Sequence, residues 1–243
     1  MTNSTEGQPS IRHGALTPAI FLSRTNRFRV DVSLNGKPTA AHLANSGRLG
    51  ELLVAGAPVW LRPAPCQGRT LRKTGYDLAL VKYGCHLVSV DARLPNDLVE
   101  LGLQTNQIRG LPQPAKLERE VLLGGGRIDF RVHAADDGPP CWIEVKSVTL
   151  VNEGIARFPD APTARGRRHL DELVSAVAGG DCAAVVFCVQ RTDADCFAPN
   201  DAADPAFGQT LRHAGRVGVK ILALRCHVTL EYVRIMGQIP VRL

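Results

Sequence analysis

Two acidic residues and a lysine on neighbouring predicted strands are the side chains of this sequence best suited to chemistry. Asp129 lies in the segment RIDFRV, residues 127–132, and Glu144 and Lys146 lie in CWIEVKSV, residues 141–148. The polar turn between these segments predicts an antiparallel hairpin, and symmetric pairing places Asp129 opposite Glu144. Because side chains alternate along a strand, we expect the two acids and Lys146 to cluster on one face. The apolar residues are expected to share the opposite, core-facing side: Ile128, Phe130, Val132, Ile143 and Val145.

This cluster predicts a divalent-cation site that hydrolyses phosphodiester bonds. Carboxylates directly opposed across a hairpin lie ~5 Å apart at Cβ and repel each other, so a compensating cation is expected. Ligands that are all oxygen favour Mg²⁺ or Mn²⁺. Asp129 and Glu144 would hold the ion, and Lys146 would orient the attacking water or stabilise the developing charge.

A third metal ligand is expected near the hairpin. Glu120, on the preceding predicted strand, is preferred over Glu100, on the preceding predicted helix. The alternative interpretation of the hairpin is a surface carboxylate pair that is salt-bridged by Lys146 and Arg127.

The elements expected to position this hairpin form a mixed α/β domain over residues 91–243. A buried strand is predicted by the continuous apolar run at 183–189. Thr163 and Asp204 are expected to cap two helices at their N-termini. The remaining predictions are a helix at 96–105 and strands near 117–123, 128–132, 141–150 and 219–228.

Residues 19–90 are expected to form a small OB-like β-barrel, preceded by a loose tail at 1–18. Five short strands are predicted, at 28–34, 39–43, 59–62, 77–83 and 87–91. The pair Asn35-Gly36 has the composition of a tight hairpin turn. OB-like barrels commonly bind nucleic acid in a basic groove.

The positive charge of the chain is concentrated in this barrel region. Residues 19–90 contain ten Lys and Arg against three Asp and Glu, a net charge of +7, whereas the whole chain carries +6. Such a module predicts a polyanionic partner, and the alternative is a basic surface that only contacts solvent. DNA, whether single- or double-stranded, is the partner expected here. The chain shows no recognition-helix pattern, so binding is expected to be largely independent of sequence. The predicted DNA-binding residues are Arg48, Arg62, Arg69, Arg72 and Lys73 in the barrel and Arg165, Arg167 and Arg168 at a helix start.

Composition predicts a cytoplasmic protein without a membrane span. Hydrophobic residues make up 44% of the chain and charged residues 21%, which is typical of a globular protein. The longest apolar run, at 183–189, is far shorter than the ~20 residues that a membrane helix needs. No secretory signal is expected, because the first residues lack a basic segment followed by an apolar one. Seven cysteines without a CxxC pair favour reduced thiols.

Several long motifs resemble the sugar fermentation stimulation protein A family. They are HLANSGRLGELL (42–53), RIDF, WIEVKSVTL and FPDAPTARGRRHLDEL (158–173), and they occur in the family's order. The resemblance implies an N-terminal OB-fold domain, a C-terminal PD-(D/E)XK nuclease-like domain, DNA binding and a regulatory role in sugar metabolism. It also implies that Asp129, Glu144 and Lys146 are the nuclease-type motif residues. Glu120 lies in the segment before the RIDF strand, which also matches the family.

Three functions from different classes therefore remain open at this point. The leading hypothesis is a DNA-binding protein with little sequence specificity. The alternative is a nuclease that depends on Mg²⁺ or Mn²⁺. A protein-interaction module that retains only the geometry of a nuclease is the third, and it predicts no DNA binding.

Overall fold

A computed structural model describes residues 8–64, 74–135 and 138–243. It contains a closed β-barrel followed by a seven-stranded mixed sheet with helices on both faces. This architecture confirms the predicted fold class.

The barrel consists of five strands, and the two strands at the ends of this sheet pair with each other and close it. In chain order, after a short strand β1 (Ile11–Arg12), the strands are β2 (Thr17–Asn26), β3 (Arg29–Leu34), β4 (Lys37–His42), β5 (Pro58–Pro63) and β6 (Tyr76–Tyr83). The sheet order is β4-β3-β2-β5-β6, and a β4–β6 pairing at His42 and Asp77 closes it. Strand β7 (His86–Ser89) pairs with β6 alone.

The β3–β4 connection forms as its sequence predicts. Asn35 and Gly36 both have positive φ angles, of 52° and 78°. Two positive φ angles characterise the tight turn that best matches the twist of a hairpin.

Two N-terminal segments differ from the sequence-based expectation. The predicted strands correspond to β3–β7, and β2 was not predicted, although Ala19 and Phe21 on it are buried in the barrel core. Within the predicted loose tail, Ile11 and Arg12 form β1, which pairs with the last strand of the C-terminal sheet. A strand of two residues is too short to show an alternating pattern in the sequence. Its extended conformation depends on its pairing with the neighbouring strand.

The C-terminal domain is built on a mixed sheet whose three central strands are parallel. Its main elements are α1 (Leu94–Gln104), β8 (Lys116–Leu123), β9 (Gly126–His133), β10 (Cys141–Val148), α2 (Ala164–Ala178), β13 (Cys182–Val189), α3 (Pro205–Arg216), β15 (Lys220–Val228) and β16 (Tyr232–Ile239). A small second sheet contains β11 (Val151–Asn152), β12 (Ile155–Phe158) and β14 (Cys196–Pro199). The large sheet runs β1-β16-β15-β13-β10-β9-β8, with β10, β13 and β15 parallel.

Both predicted helix caps are present. The Thr163 hydroxyl accepts a hydrogen bond from Gly166 N at 3.0 Å, and the Asp204 carboxylate accepts one from Phe207 N at 3.0 Å. Each bond pairs a backbone N–H that the first turn of a helix otherwise leaves without a partner. Thr163 therefore fixes the start of α2, the helix that covers β10.

Apolar clusters cover both faces of the large sheet. On one face Leu98 of α1 packs with Phe130 and Ile143, and the same cluster includes Leu80 of the barrel. On the other face Leu170 and its neighbours on α2 and α3 pack against the sheet. The barrel and the α/β domain thus share apolar contacts, which hold the two domains against each other.

Within the described ranges, none of the helices is long and apolar enough to cross a membrane.

Candidate active site

Strands β9 and β10 pair in the predicted register and then separate at the candidate site. Cys141, Trp142 and Ile143 pair with Val132, Arg131 and Phe130, as the symmetric hairpin predicts. The next predicted pair, Asp129 and Glu144, is not a backbone pair. Instead Asp129 Oδ2 accepts a hydrogen bond from Val145 N at 2.7 Å, and Oδ1 accepts one from Asn96 Nδ2 at 2.8 Å. Asp129 is thereby held between the end of the β9–β10 ladder and the first turn of α1.

Where the strands separate, the distribution of side chains over the two faces of the sheet also differs from the prediction. Phe130 and Ile143 pack in the cluster next to α1, as expected of the core-facing side, but Ile128 packs in the cluster next to α2. The face that carries Glu144 is not a solvent-exposed face either, because α2 covers it. The candidate site therefore lies beneath α2 rather than on an open face of the sheet.

Glu144 is buried, with 3% of its surface exposed, and its two carboxylate oxygens have different surroundings. Lys146 Nζ and His169 Nδ1 both donate hydrogen bonds to Oε1. Oε2 has no hydrogen-bond partner among the described residues, although it is buried. A buried carboxylate oxygen without a partner costs free energy in the metal-free protein, and a bound cation would satisfy it.

His169, on α2, links Glu144 to a cationic side chain. The imidazole is 1% exposed, and Arg165 Nε donates to its Nε2 at 3.3 Å. Because Nε2 accepts this bond, Nδ1 carries the proton that is donated to Glu144. Arg165 thus selects the tautomer that orients the Glu144 carboxylate.

The two carboxylates differ in their pKa values. Burial, and secondly the charge of Glu144, raises the pKa of Asp129 to about 6 from an ordinary value of 3.8. Burial also acts to raise the pKa of Glu144, but the Lys146 ammonium and the hydrogen bond from His169 together outweigh it, and the pKa lies below its ordinary value. The elevated pKa of Asp129 is what close, partly desolvated carboxylates without a cation are expected to show.

These side chains open into a cleft between the barrel and the α/β domain, with a volume of about 780 Å³. Asp129, Glu144 and Lys146 contribute to its lining. Besides Lys146, the cationic residues that line it are Arg27 from the barrel, Arg157 from β12 and Arg165 from α2. The cleft therefore combines a buried carboxylate, Glu144, and a half-buried one, Asp129, with surrounding positive charge. This arrangement is suited to a phosphate group and a metal ion together.

Asp160 connects the two sides of the cleft. Its Oδ2 accepts hydrogen bonds from the backbone N–H groups of Arg48 at 2.6 Å and Leu49 at 3.3 Å, in the barrel. The approach requires glycine at position 47, because a Cβ atom on Gly47 would lie 2.6 Å from Asp160 Oδ2. On the barrel side, the Arg24 guanidinium donates to the carbonyl oxygens of residues 27, 45, 47 and 48. The loop at 45–48 is therefore fixed at the edge of the cleft.

Of the predicted DNA-binding arginines on α2, only Arg165 lines the cleft. Arg167 forms an ion pair with Asp204, the cap of α3, at 2.7 Å. Arg168 is exposed and lies 3.7 Å from Glu172, beside a separate pocket.

The two predicted barrel residues that the structure describes, Arg48 and Arg62, do not line the cleft either. Arg48 is exposed and contacts Asp160 through its backbone, whereas Arg62 pairs with the buried Asp91 at 2.6 Å. The other three, Arg69, Arg72 and Lys73, lie outside the described residues.

The predicted third metal ligand is not at the cleft. Glu120 is exposed on β8, the edge strand of the sheet, with a left-handed φ of 53°, and Glu100 pairs with Arg119 at 2.9 Å. Strand β8 is separated from β10 by β9, which moves Glu120 away from Glu144. In the parts of the chain that the structure describes, no group of three or more His, Cys, Asp or Glu side chains could hold a metal ion.

The site also contains residues that the sequence analysis did not select. They are His169, Arg27, Arg157 and Asp160. Only His169 carries a signal in the sequence, since it lies on the inward stripe of α2 with Leu170 and Leu173. A polar residue on the buried face of an amphipathic helix indicates a specific partner.

Comparisons with known proteins identify relatives along almost the whole chain. A family model described as "SfsA N-terminal OB domain" matches residues 22–90, and one described as "Sugar fermentation stimulation protein RE domain" matches residues 93–232. A sugar fermentation stimulation protein homolog from Moorella thermoacetica is 46% identical over 94% of this chain and 97% of its own length. One from Desulforamulus reducens is 45% identical over 94% of this chain and 93% of its own length. The solved structure of Pyrococcus furiosus SfsA in complex with Ca²⁺ superposes with a TM-score of 0.87 at 27% identity, covering 96% of this chain and 98% of that one.

Proposed function

The chain belongs to the sugar fermentation stimulation protein family, and from that premise we propose that it binds DNA in the interdomain cleft and hydrolyses phosphodiester bonds with a divalent cation. The observation that supports this most strongly is the buried Oε2 of Glu144, which has no hydrogen-bond partner among the described residues. It lies beside Asp129 and Lys146 in the arginine-lined cleft. The sequence predicts DNA binding and nuclease activity as separate hypotheses. In this proposal both are properties of one cleft.

The residues of the cleft suit a divalent cation. Asp129 and Glu144 would hold the ion through oxygen atoms, the ligands that Mg²⁺, Mn²⁺ and Ca²⁺ prefer. The Pyrococcus furiosus relative is described in complex with Ca²⁺, which supports a divalent cation in this family. When bound, such an ion polarises a phosphate oxygen and lowers the pKa of a bound water.

Each neighbouring side chain has a proposed task in this reaction. Lys146, with 12% of its side chain exposed, places an ammonium beside Glu144, where it can stabilise negative charge that develops on the phosphate. His169 positions the Glu144 carboxylate and leaves Oε2 free. Arg157 and Arg165 would bind the phosphates of the DNA strand.

Binding is proposed to be largely independent of base sequence. The cationic groups at the cleft suit phosphates, and phosphate contacts position a nucleic acid without reading its bases. We also assign the protein to the cytoplasm, where DNA would be accessible to it. A regulatory role in sugar metabolism remains a prediction of the family resemblance.

The proposal predicts DNA binding that weakens with salt through Arg157 and Arg165. Replacing both by Gln is expected to make the slope of log K against log[salt] less steep, by the equivalent of up to about two phosphate contacts. Each cation that neutralises a phosphate releases condensed counterions from the DNA, and these variants lose that release. The measurement is a fluorescence anisotropy titration of labelled DNA in EDTA at several salt concentrations.

The matched control removes two charges outside the cleft, with Arg212→Gln and Arg216→Gln on α3, and should leave the slope near wild type. Salt-independent binding, or an equal slope in the Arg157/Arg165 variant and the wild type, would contradict the proposed role of the cleft. No DNA binding at all would favour the protein-interaction module.

A further inference from the structure

The tip of the β2–β3 connection presents an aromatic side chain to the cleft. Phe28 is 48% exposed and lines the cleft beside Arg27. Among the described residues it is the only large exposed hydrophobic side chain that does so; the others lie elsewhere on the surface. A single exposed apolar side chain is ordinary on a protein surface, but an aromatic ring that lines the cleft offers a flat face on which the ring of a ligand can stack.

The position of Phe28 is fixed by its own backbone. Its N–H donates to Asn26 Oδ1 at 2.9 Å, and its carbonyl oxygen accepts from Leu43 N at 2.9 Å. The carbonyl of the preceding residue, Arg27, accepts from the Arg24 guanidinium at 2.7 Å. The aromatic ring is thus carried on a rigid turn, so little conformational entropy would be lost when a base stacks on it.

The size and depth of the cleft restrict the form of nucleic acid that can reach the carboxylates. A volume of about 780 Å³ falls within the ~300–1,000 Å³ of pockets that enclose small ligands, which is room for roughly a few nucleotides rather than a duplex turn. Glu144, at 3% exposure, is deep in this space. In a duplex, neighbouring bases also cover each base face, whereas the bases of a single strand can stack on an aromatic side chain.

We propose that the cleft binds single-stranded DNA, with one base stacked on Phe28 and the backbone beside it directed by Arg27 and Arg165 towards Asp129 and Glu144. This inference rests on the proposed function, since it names the form of DNA that the same cleft accepts. A duplex would have to fray or extrude a nucleotide to enter.

The test compares the affinities of a labelled single-stranded oligonucleotide and of the duplex of the same sequence, measured by fluorescence anisotropy in EDTA. The wild type is expected to bind the single strand more tightly. Phe28→Ala should weaken single-strand binding about tenfold, the range that aromatic stacking of one base contributes, and leave duplex binding unchanged. Phe28→Tyr should restore the single-strand affinity because the aromatic face is kept.

Leu22→Ala is the control, since Leu22 is an exposed apolar residue of β2 at 40% exposure that does not line the cleft. It should bind both oligonucleotides as the wild type does. Tighter binding of the duplex, or an equal effect of Phe28→Ala on both forms, would overturn the single-strand inference and leave the proposed function standing. Absence of binding to either form would instead refute the proposed function.

Discussion

Replacing Lys146 by Ala is expected to reduce the rate of DNA cleavage about a thousandfold, while DNA affinity and metal affinity remain close to wild type. The ammonium contacts Glu144 Oε1 and is largely buried, so its charge acts at short range in a poorly solvated site. Loss of one such charge-stabilising donor typically costs ~10²–10³ in rate. Metal binding should persist because Lys146 is not a ligand.

This prediction is measured with a labelled single-stranded oligonucleotide and Mn²⁺ under single-turnover conditions. Lys116→Ala is the matched control, because Lys116 is 66% exposed and pairs with Glu118 outside the cleft. A Lys146→Ala variant that cleaves at the wild-type rate would remove the lysine from the reaction. A large loss of stability in that variant would favour the salt-bridge interpretation of the hairpin.

Asp129→Asn is expected to stabilise the metal-free protein at pH 7 by up to about 3 kcal/mol. The pKa of Asp129 is raised from 3.8 to about 6 in the folded state, and each pKa unit corresponds to ~1.4 kcal/mol. Between these two values the folded state holds more protons than the unfolded state, so stability falls as the pH rises from about 4 to 6. Above pH 6 the full cost of ionising Asp129 lowers the stability of the folded wild type. The Asn side chain of the variant avoids this cost, and its oxygen can still accept a hydrogen bond from Val145 N.

The stability difference should therefore disappear below about pH 4, where the carboxyl group is protonated in both states. Urea unfolding in EDTA at pH 4 and pH 7 measures it. Asp97→Asn serves as the control because Asp97 lies on the surface of α1 with 51% exposure, and it should show no comparable gain. Destabilisation of the protein by Asp129→Asn at pH 7 would contradict this prediction. It would mean that burial and repulsion from Glu144 do not make the ionised Asp129 unfavourable in the folded state.

The local features of the fold could be predicted from the sequence because they depend on local physics. Symmetric pairing about the polar turn that follows residue 132 predicts the first three β9–β10 pairs correctly. The side chains of Thr163 and Asp204 each satisfy a backbone N–H only three residues away, so their capping is visible in the sequence.

The candidate site was only partly predictable because its geometry depends on distant partners. Asp129 leaves the strand pairing to bind Val145 N and Asn96, and no periodic pattern encodes that separation. His169 reaches Glu144 from a helix 25 residues further along the chain. Packing between elements decides both contacts.

Charge alone does not identify which arginines line the cleft, for a related reason. Arg62 and Arg167 have the expected charge, but Asp91 and Asp204 already bind them. Arg157, by contrast, lines the cleft from a short strand that the sequence did not predict. An arginine is available to a phosphate only where the fold leaves it without a strong internal partner.

Isothermal titration calorimetry of the wild type and Asp129→Asn with Mn²⁺ measures whether Asp129 and Glu144 hold a metal ion. We expect saturable binding of one ion per chain to the wild type, because the two carboxylates share one cation, and loss of that binding in Asp129→Asn. A wild type that binds no Mn²⁺, or a variant that binds it equally well, would contradict the assignment of Asp129 and Glu144 as a metal site.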